Sequence, residues 1–238
     1  MHQAFVDHLE KTFSITEGPA NEILGITISK RPDGSVMLHQ QLFIELMAKR
    51  HSVVNMREFS TPLPQNFNTV IWSPPEPSDI AFLNTKKYSM PTLIGELLWA
   101  TGCRPDVSFA VSFLSRFSSK PTKAAYNYAL RVVKYLYDTR SRGILIRSSY
   151  DSMTDLKLVA YADADHAHNV ATRKSVSGGL VLFCGCVIDY FSKSQSAVAL
   201  RSTEAELIAI PQAGQSLIQL KNGLSEFNLL RSKSTKIF

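Results

Sequence analysis

Lys157-Leu158-Val159-Ala160-Tyr161-Ala162-Asp163-Ala164-Asp165 decides how the second half of this chain is read. Five consecutive apolar residues run into two carboxylates, which predicts a buried strand ending in Asp163 and Asp165. Side chains alternate along a strand, so both carboxylates lie on one side if the strand stays extended that far. A hard divalent cation such as Mg²⁺ takes one or two carboxylates and keeps its waters, so the pair is a candidate metal site. The plainer alternative is a turn in which each Asp accepts a local hydrogen bond. Short β runs at 144–146, 156–162, 179–183 and 187–191 surround this stretch, separated by polar turns.

A helix is predicted from Thr203 toward Leu230, opening on Ser202-Thr203-Glu204-Ala205-Glu206. Thr203 and Glu206 have capping-box spacing, which would turn the Glu206 carboxylate back to the helix start. Glu204 and Glu206 lie about 200° apart around a helix and cannot address one site. Glu206 shares a face with Ala209 and Ile210, the side expected to pack on the sheet, so Glu206 is the candidate inward ligand. Pro211 removes a helical hydrogen bond at a cost of about 3 kcal/mol in a regular helix, predicting a kink or restart there. His166-Ala167-His168 reads as an exposed loop rather than a metal pair. Several strands followed by one long helix give an α+β class.

Upstream, helices are predicted over 91–101, 106–117 and 121–139. At 100° per residue, Ala125, Ala129, Val132, Val133 and Leu136 gather on one face of the third helix, and Lys123, Asn127, Arg131 and Lys134 on the other. Arg116 and Lys120 precede this stripe, and Arg140 and Arg142 extend it. The net charge of +6 on 238 residues is concentrated here: residues 101–150 carry 9 basic and 2 acidic side chains, against 8 and 10 before them and 9 and 8 after. The stripe reads either as a solvated face or as a tract for nucleic-acid phosphates.

The first sixty residues predict a helix over 5–13, a β run at 23–28, an Arg31-Pro32-Asp33-Gly34 turn, a strand over 35–39, and a helix over 40–50 with Leu42, Leu46 and Lys49 at helical intervals. Between 60 and 88 the pattern dissolves, with five prolines between Pro62 and Pro77 that forbid a continuous helix or central strand. The expected divisions are 1–60, a Pro-rich connector over 61–90, a helical region over 91–142 and a sheet-bearing region over 143–238.

With 45% apolar and 19% charged residues the chain is not disordered by composition. No apolar run reaches the roughly 18 residues of a membrane span, and the N-terminus has no signal-peptide core, so an intracellular protein, cytoplasmic or nuclear, is expected. Cys103, Cys184 and Cys186 lack zinc-ligand spacing and are expected to be apolar filler. There is no phosphate-binding Gly-rich loop and no Ser or Cys nucleophile motif.

Six stretches, in order, carry a resemblance: Arg104-Pro105-Asp106-Val107-Ser108-Phe109, Leu114-Ser115-Arg116-Phe117, Tyr161-Ala162-Asp163-Ala164-Asp165, Arg173-Lys174-Ser175-Val176-Ser177-Gly178, Ser192-Lys193-Ser194-Gln195 and Ala199-Leu200-Arg201-Ser202-Thr203-Glu204-Ala205-Glu206. With Ile23-Leu24-Gly25-Ile26 and Ser60-Thr61-Pro62, the chain resembles the polyprotein of copia-type LTR retrotransposons. The resemblance implies the end of a reverse transcriptase with its thumb and connection region, then a truncated ribonuclease H-like α/β sheet with one long helix. It also implies an Mg²⁺-dependent ribonuclease H site with Asp163 and Glu206 as catalytic ligands and Asp165 in support, acting on an RNA·DNA hybrid. The stripe of Arg116, Lys120, Lys123, Arg131 and Lys134 would then track the hybrid's phosphates, and other parts of the polyprotein would be partners.

The sequence departs from that family pattern in several places. The family's polymerase aspartates and the Asp-Asn pair that supplies a further metal ligand are not found in these 238 residues. Arg201 and His166 replace a small polar residue and a Trp. The implied function is therefore a retrotransposon-derived, hybrid-binding fragment with an incomplete two-metal site. An active ribonuclease H, its missing carboxylate supplied from elsewhere, and a gene remnant without function are the alternatives.

Overall fold

The computed structural model describes residues 12–14, 18, 21–72, 74–147, 157–167, 172–226 and 235–238. The helix expected over 5–13 lies almost wholly outside them. The β run expected at 23–28 proves to be two strands, β1 (Glu22–Ile23) and β2 (Ile26–Lys30), paired antiparallel. Leu24 and Gly25 form the two-residue turn at φ 50° and 71°, the left-handed pair that such a hairpin demands. Five of the six residues from Ile23 to Ile28 are apolar or β-branched, which conceals that turn in the sequence. β3 (Val36–His39) and β4 (Ile144–Ile146) complete an antiparallel sheet in the order β1-β2-β3-β4. Ile144–Ile146, expected to open the C-terminal sheet, is thus a strand of the N-terminal one.

α1 (Gln41–Arg50) packs through Ile44, Met47 and Ala48, whereas Leu42 and Leu46 are exposed. This helix has apolar residues on two faces, and packing against its neighbours selects the one not expected. The Pro-rich stretch yields two short helices, α2 (Phe67–Val70) and α3 (Pro77–Asn84). It is no free connector, because Leu63 and Ile71 are buried in the same core as the helices that follow. In α3, Asp79 accepts the Glu76 backbone N–H at 2.9 Å through one oxygen and the Lys123 backbone N–H at 2.8 Å through the other, tying this segment to a later helix.

α4 (Met90–Ala100), α5 (Pro105–Ser115) and α6 (Lys123–Asp138) match the expected spans to within two residues at either end. Ser89 caps α4 and Thr122 caps α6, each accepting a backbone N–H three residues on. Ala125, Ala129, Val132, Val133 and Leu136 are all fully buried, as the helical spacing requires.

Arg104 lies at the junction of this bundle and is 1% exposed. Its Nε and Nη2 donate to the two oxygens of Asp106 at 2.9 and 2.8 Å. Its Nη1 and Nη2 also reach the carbonyl and hydroxyl of Thr139 at the far end of α6. The Tyr135 hydroxyl donates to Asp106 at 2.9 Å. The Arg104-Pro105-Asp106 motif is therefore a clamp between the start of α5 and the end of α6.

The second sheet has the order β7-β6-β5-β8, from β5 (Leu158–Asp165), β6 (Val176–Phe183), β7 (Cys186–Ser194) and β8 (Lys236–Ile237). β5, β6 and β7 form an antiparallel meander, and β8 runs parallel to β5. α7 (Ser202–Glu226) covers one face, its Ala213 and Leu217 packing with Leu158, Ala160 and Val181. α7 continues through Pro211 without the expected break. The carbonyl that Pro211 cannot pair with belongs to Leu207, and both residues are exposed, so the lost hydrogen bond falls on the solvent side of the helix. α5 packs on the sheet's other face, where the Tyr190 hydroxyl of β7 donates to the Thr101 carbonyl. Burial pushes that hydroxyl up to about 12. Burial also raises the Cys103 thiol above its ordinary value.

Candidate metal and nucleic-acid site

β5 stays extended through both carboxylates, with Asp163 opposite Gly178 and Asp165 opposite Val176. Strand alternation therefore puts Tyr161, Asp163 and Asp165 on one face and Ala160, Ala162 and Ala164 on the other. The alanine face meets α7. The carboxylate face looks into a cleft of about 740 Å³ between the sheet and α5. Asp163 and Asp165 are both exposed, and Asp163 accepts the Ala164 backbone N–H at 2.8 Å.

Glu206 comes from the helix on the opposite face. The packed stripe of α7 is Ala205, Ala209, Ala213 and Leu217, not the expected Ala209–Ile210 side, and Ile210 is exposed. Glu206 flanks this stripe and is exposed. The expected cap is also reassigned: Glu204, not Glu206, turns back and accepts the Leu200 backbone N–H at 2.7 Å. Glu206 is not held by that cap.

Gln195 brings the start of α7 to the carboxylate end of β5. Buried to 1% exposure, it donates through Nε2 to the Ser177 hydroxyl at 3.0 Å and to the Ala205 carbonyl at 2.8 Å. Ser177 pairs with Ala164, between the two aspartates. His166 makes a second tie, its Nε2 lying 3.1 Å from the Ala199 carbonyl. His168 lies outside the described residues. The three carboxylates thus share one end of the sheet but reach it from opposite faces. Among the described residues no three His, Cys, Asp or Glu side chains cluster to hold a metal ion. The donor set, all carboxylate oxygen and water-facing, suits Mg²⁺, which needs only one or two protein ligands beside its waters. Sequence reasoning missed the roles of Gln195 and Ser177, because a polar residue that ties a helix to a strand has no periodic signature.

The basic stripe is not one solvent-facing tract, which corrects the expectation. Lys134 is buried, donating to the Val54 carbonyl at 3.0 Å and pairing with Asp138 at 2.7 Å. Arg131 lies 4.2 Å above the Phe59 ring centroid and donates to the Thr61 carbonyl. Both terminal nitrogens of Arg116 are buried without a hydrogen-bond partner among the described residues. Lys120 and Lys123 remain exposed, the latter over the Phe82 ring. Long-range partners at Val54, Phe59 and Thr61 absorb charges that the helical wheel assigns to water.

No helix among the described residues is long and apolar enough to cross a membrane. No protein-family model matches the chain, and no solved structure matches it. It is 34% identical over 224 residues to the retrovirus-related Pol polyprotein from transposon TNT 1-94 of Nicotiana tabacum, covering 93% of this chain and 16% of that polyprotein. It is 31% identical over 206 residues to an uncharacterized mitochondrial protein of Arabidopsis thaliana, covering 85% of this chain and 79% of the relative. A third relative, the Pol polyprotein from transposon RE1 of Arabidopsis thaliana, is 26% identical over 98% of this chain and 15% of its own length. The chain belongs to the copia-type retrotransposon Pol polyprotein family and spans about a sixth of the TNT 1-94 polyprotein.

Proposed function

We propose that this chain binds RNA·DNA hybrids at a ribonuclease H-like sheet, with Asp163 and Glu206 as two ligands of an Mg²⁺ site and Asp165 beside them. The observation that carries the reading is the junction at the end of β5, where a strand ending in two carboxylates is tied through Ser177 and Gln195 to the start of the helix bearing Glu206. Asp163 and Glu206 would hold the ion, which would supply phosphate-charge screening and Lewis-acid polarisation there. The chain's own residues would supply carboxylate oxygens from the strand end and from the helix start, and Gln195 ties that helix start to Ser177, beside the residue opposite Asp163. Lys120 and Lys123, the exposed members of the basic region, are its phosphate contacts; Arg131 and Lys134 act mainly as structural ties.

Fluorescence anisotropy with a labelled hybrid, with and without Mg²⁺, tests this. Mg²⁺ is expected to strengthen binding to the hybrid over duplex DNA of the same sequence, and Asp163→Asn and Glu206→Gln are each expected to remove that gain. Equal affinity for both duplexes, with no response to Mg²⁺ or to the variants, would overturn the reading.

A second reading, active hydrolysis of the RNA strand, is favoured by the path of β8. The Phe238 N–H donates to the Ala160 carbonyl and its carbonyl accepts from the Ala162 N–H, both at 2.9 Å. β8 thus lies hydrogen-bonded against β5, the strand that carries Asp163. Hybrid cleavage that is lost in both variants would establish this activity in place of binding alone.

A further inference from the structure

The cleft between α5 and the second sheet has a chemistry of its own. Among the described residues that line it, the charged side chains are Asp163 and Asp165. Aromatic rings make up much of the wall. Phe109 stands on the α5 side and Tyr190 on the sheet side, while Tyr161 and Phe238 stack with centroids 5.6 Å apart at 24°. Gly178, directly across from Asp163, leaves the floor open: a Cβ built there meets nothing within 4 Å. At about 740 Å³ the cleft falls within the range of small-molecule sites, which are mostly apolar with a few placed polar groups.

We infer that the cleft takes a flat aromatic monocation, the ring system stacking among the aromatic side chains and the positive charge facing Asp163. Aromatic faces favour a cation over a neutral ring of the same shape, and the carboxylate adds to that preference. Without a bound metal ion the two carboxylates disfavour a polyanion in the cleft. In the metal-free chain Asp163, proposed above as an Mg²⁺ ligand, is open to the organic cation.

Isothermal titration of the full chain, freed of nucleic acid and metal, with 9-aminoacridine at pH 8 tests it, alongside acridine as the uncharged probe of the same shape. One cation is expected to bind per chain, with acridine at least tenfold weaker. Asp163→Asn is expected to remove most of that difference. Gly178→Leu, which fills the cleft from the sheet, is expected to abolish binding of both; Ser108→Phe fills it from α5 and serves if the first variant does not fold. Equal binding of cation and neutral probe, or binding that survives a folded filling variant, would overturn the inference. Hybrid binding with Mg²⁺ is measured separately and tests the proposed function.

Discussion

Arg104→Ala is expected to lower the unfolding free energy by about 3 kcal/mol, near the low end for breaking a buried ion pair. Arg104 is almost fully buried, while the Asp106 side chain keeps 34% of its exposure, so the carboxylate left behind recovers some hydration. The variant also strips the Thr139 carbonyl and hydroxyl of their donors, releasing the end of α6 from the start of α5. Arg104→Lys is expected to recover less than half of the loss, because a single ammonium cannot bind both Asp106 oxygens and Thr139 at once. Urea unfolding of the three proteins measures this. A loss below about 1 kcal/mol would show that the clamp behaves like a surface pair.

The same clamp sets an acid limit on stability. Burial pulls the Asp106 carboxyl upward, but the Arg104 hydrogen bonds and charge, with the Tyr135 hydroxyl, outweigh it and hold the group below its ordinary 3.8. A carboxyl depressed in the folded state stabilises the fold above its unfolded value, and that contribution disappears as pH falls through the folded value. The gap between wild type and Arg104→Ala is therefore expected to be constant above about pH 5 and to narrow below about pH 4.

Gly143→Ala is the second large effect. A Cβ at this position would stand 2.1 Å from the Leu38 carbonyl oxygen and 3.0 Å from the His39 Cβ. The obstacle is the backbone of β3, which pairs with β4 immediately after Gly143, so no side-chain rotation relieves it. Overpacking of this kind costs about 1–3 kcal/mol and sometimes more, and here it should also detach β4. Urea unfolding gives the total. Hydrogen exchange at Val36–His39 separates loss of the β3–β4 pairing from general destabilisation: amides of α6, and the β3 amides directed at β2, should keep their relative protection while the β3 amides directed at β4 lose it. Unchanged stability would mean that β4 is not held against β3 in this register.

What was legible in the sequence follows how far apart the interacting residues are. The core face of α6 could be read because Ala125 through Leu136 repeat within one helix, and all five are buried. The strand bearing Asp163 and Asp165 could be read for the same reason. The clamp could not, since Arg104 meets Thr139 35 residues away. Nor could the fate of the basic stripe, whose Lys134 finds Val54 80 positions upstream. α1 failed differently: two apolar stripes compete, and only the neighbouring helices decide that Ile44 and Met47 go inward. At the site, the residue types were legible but the geometry was not, because nothing local says that Asp163 and Glu206 leave from opposite faces of the sheet.

That geometry is the point on which the proposed function stands. Backbone NMR of the full chain titrated with Mn²⁺ addresses it directly, since the ion broadens amides around the place where it binds. The account predicts early broadening at Asp163, Ala164, Gly178 and Glu206, lost in both Asp163→Asn and Glu206→Gln, with Lys123 and Asp138 on α6 unaffected. Broadening that spares Glu206, or that persists in the Glu206→Gln variant, would contradict a site shared by the strand end and the helix start.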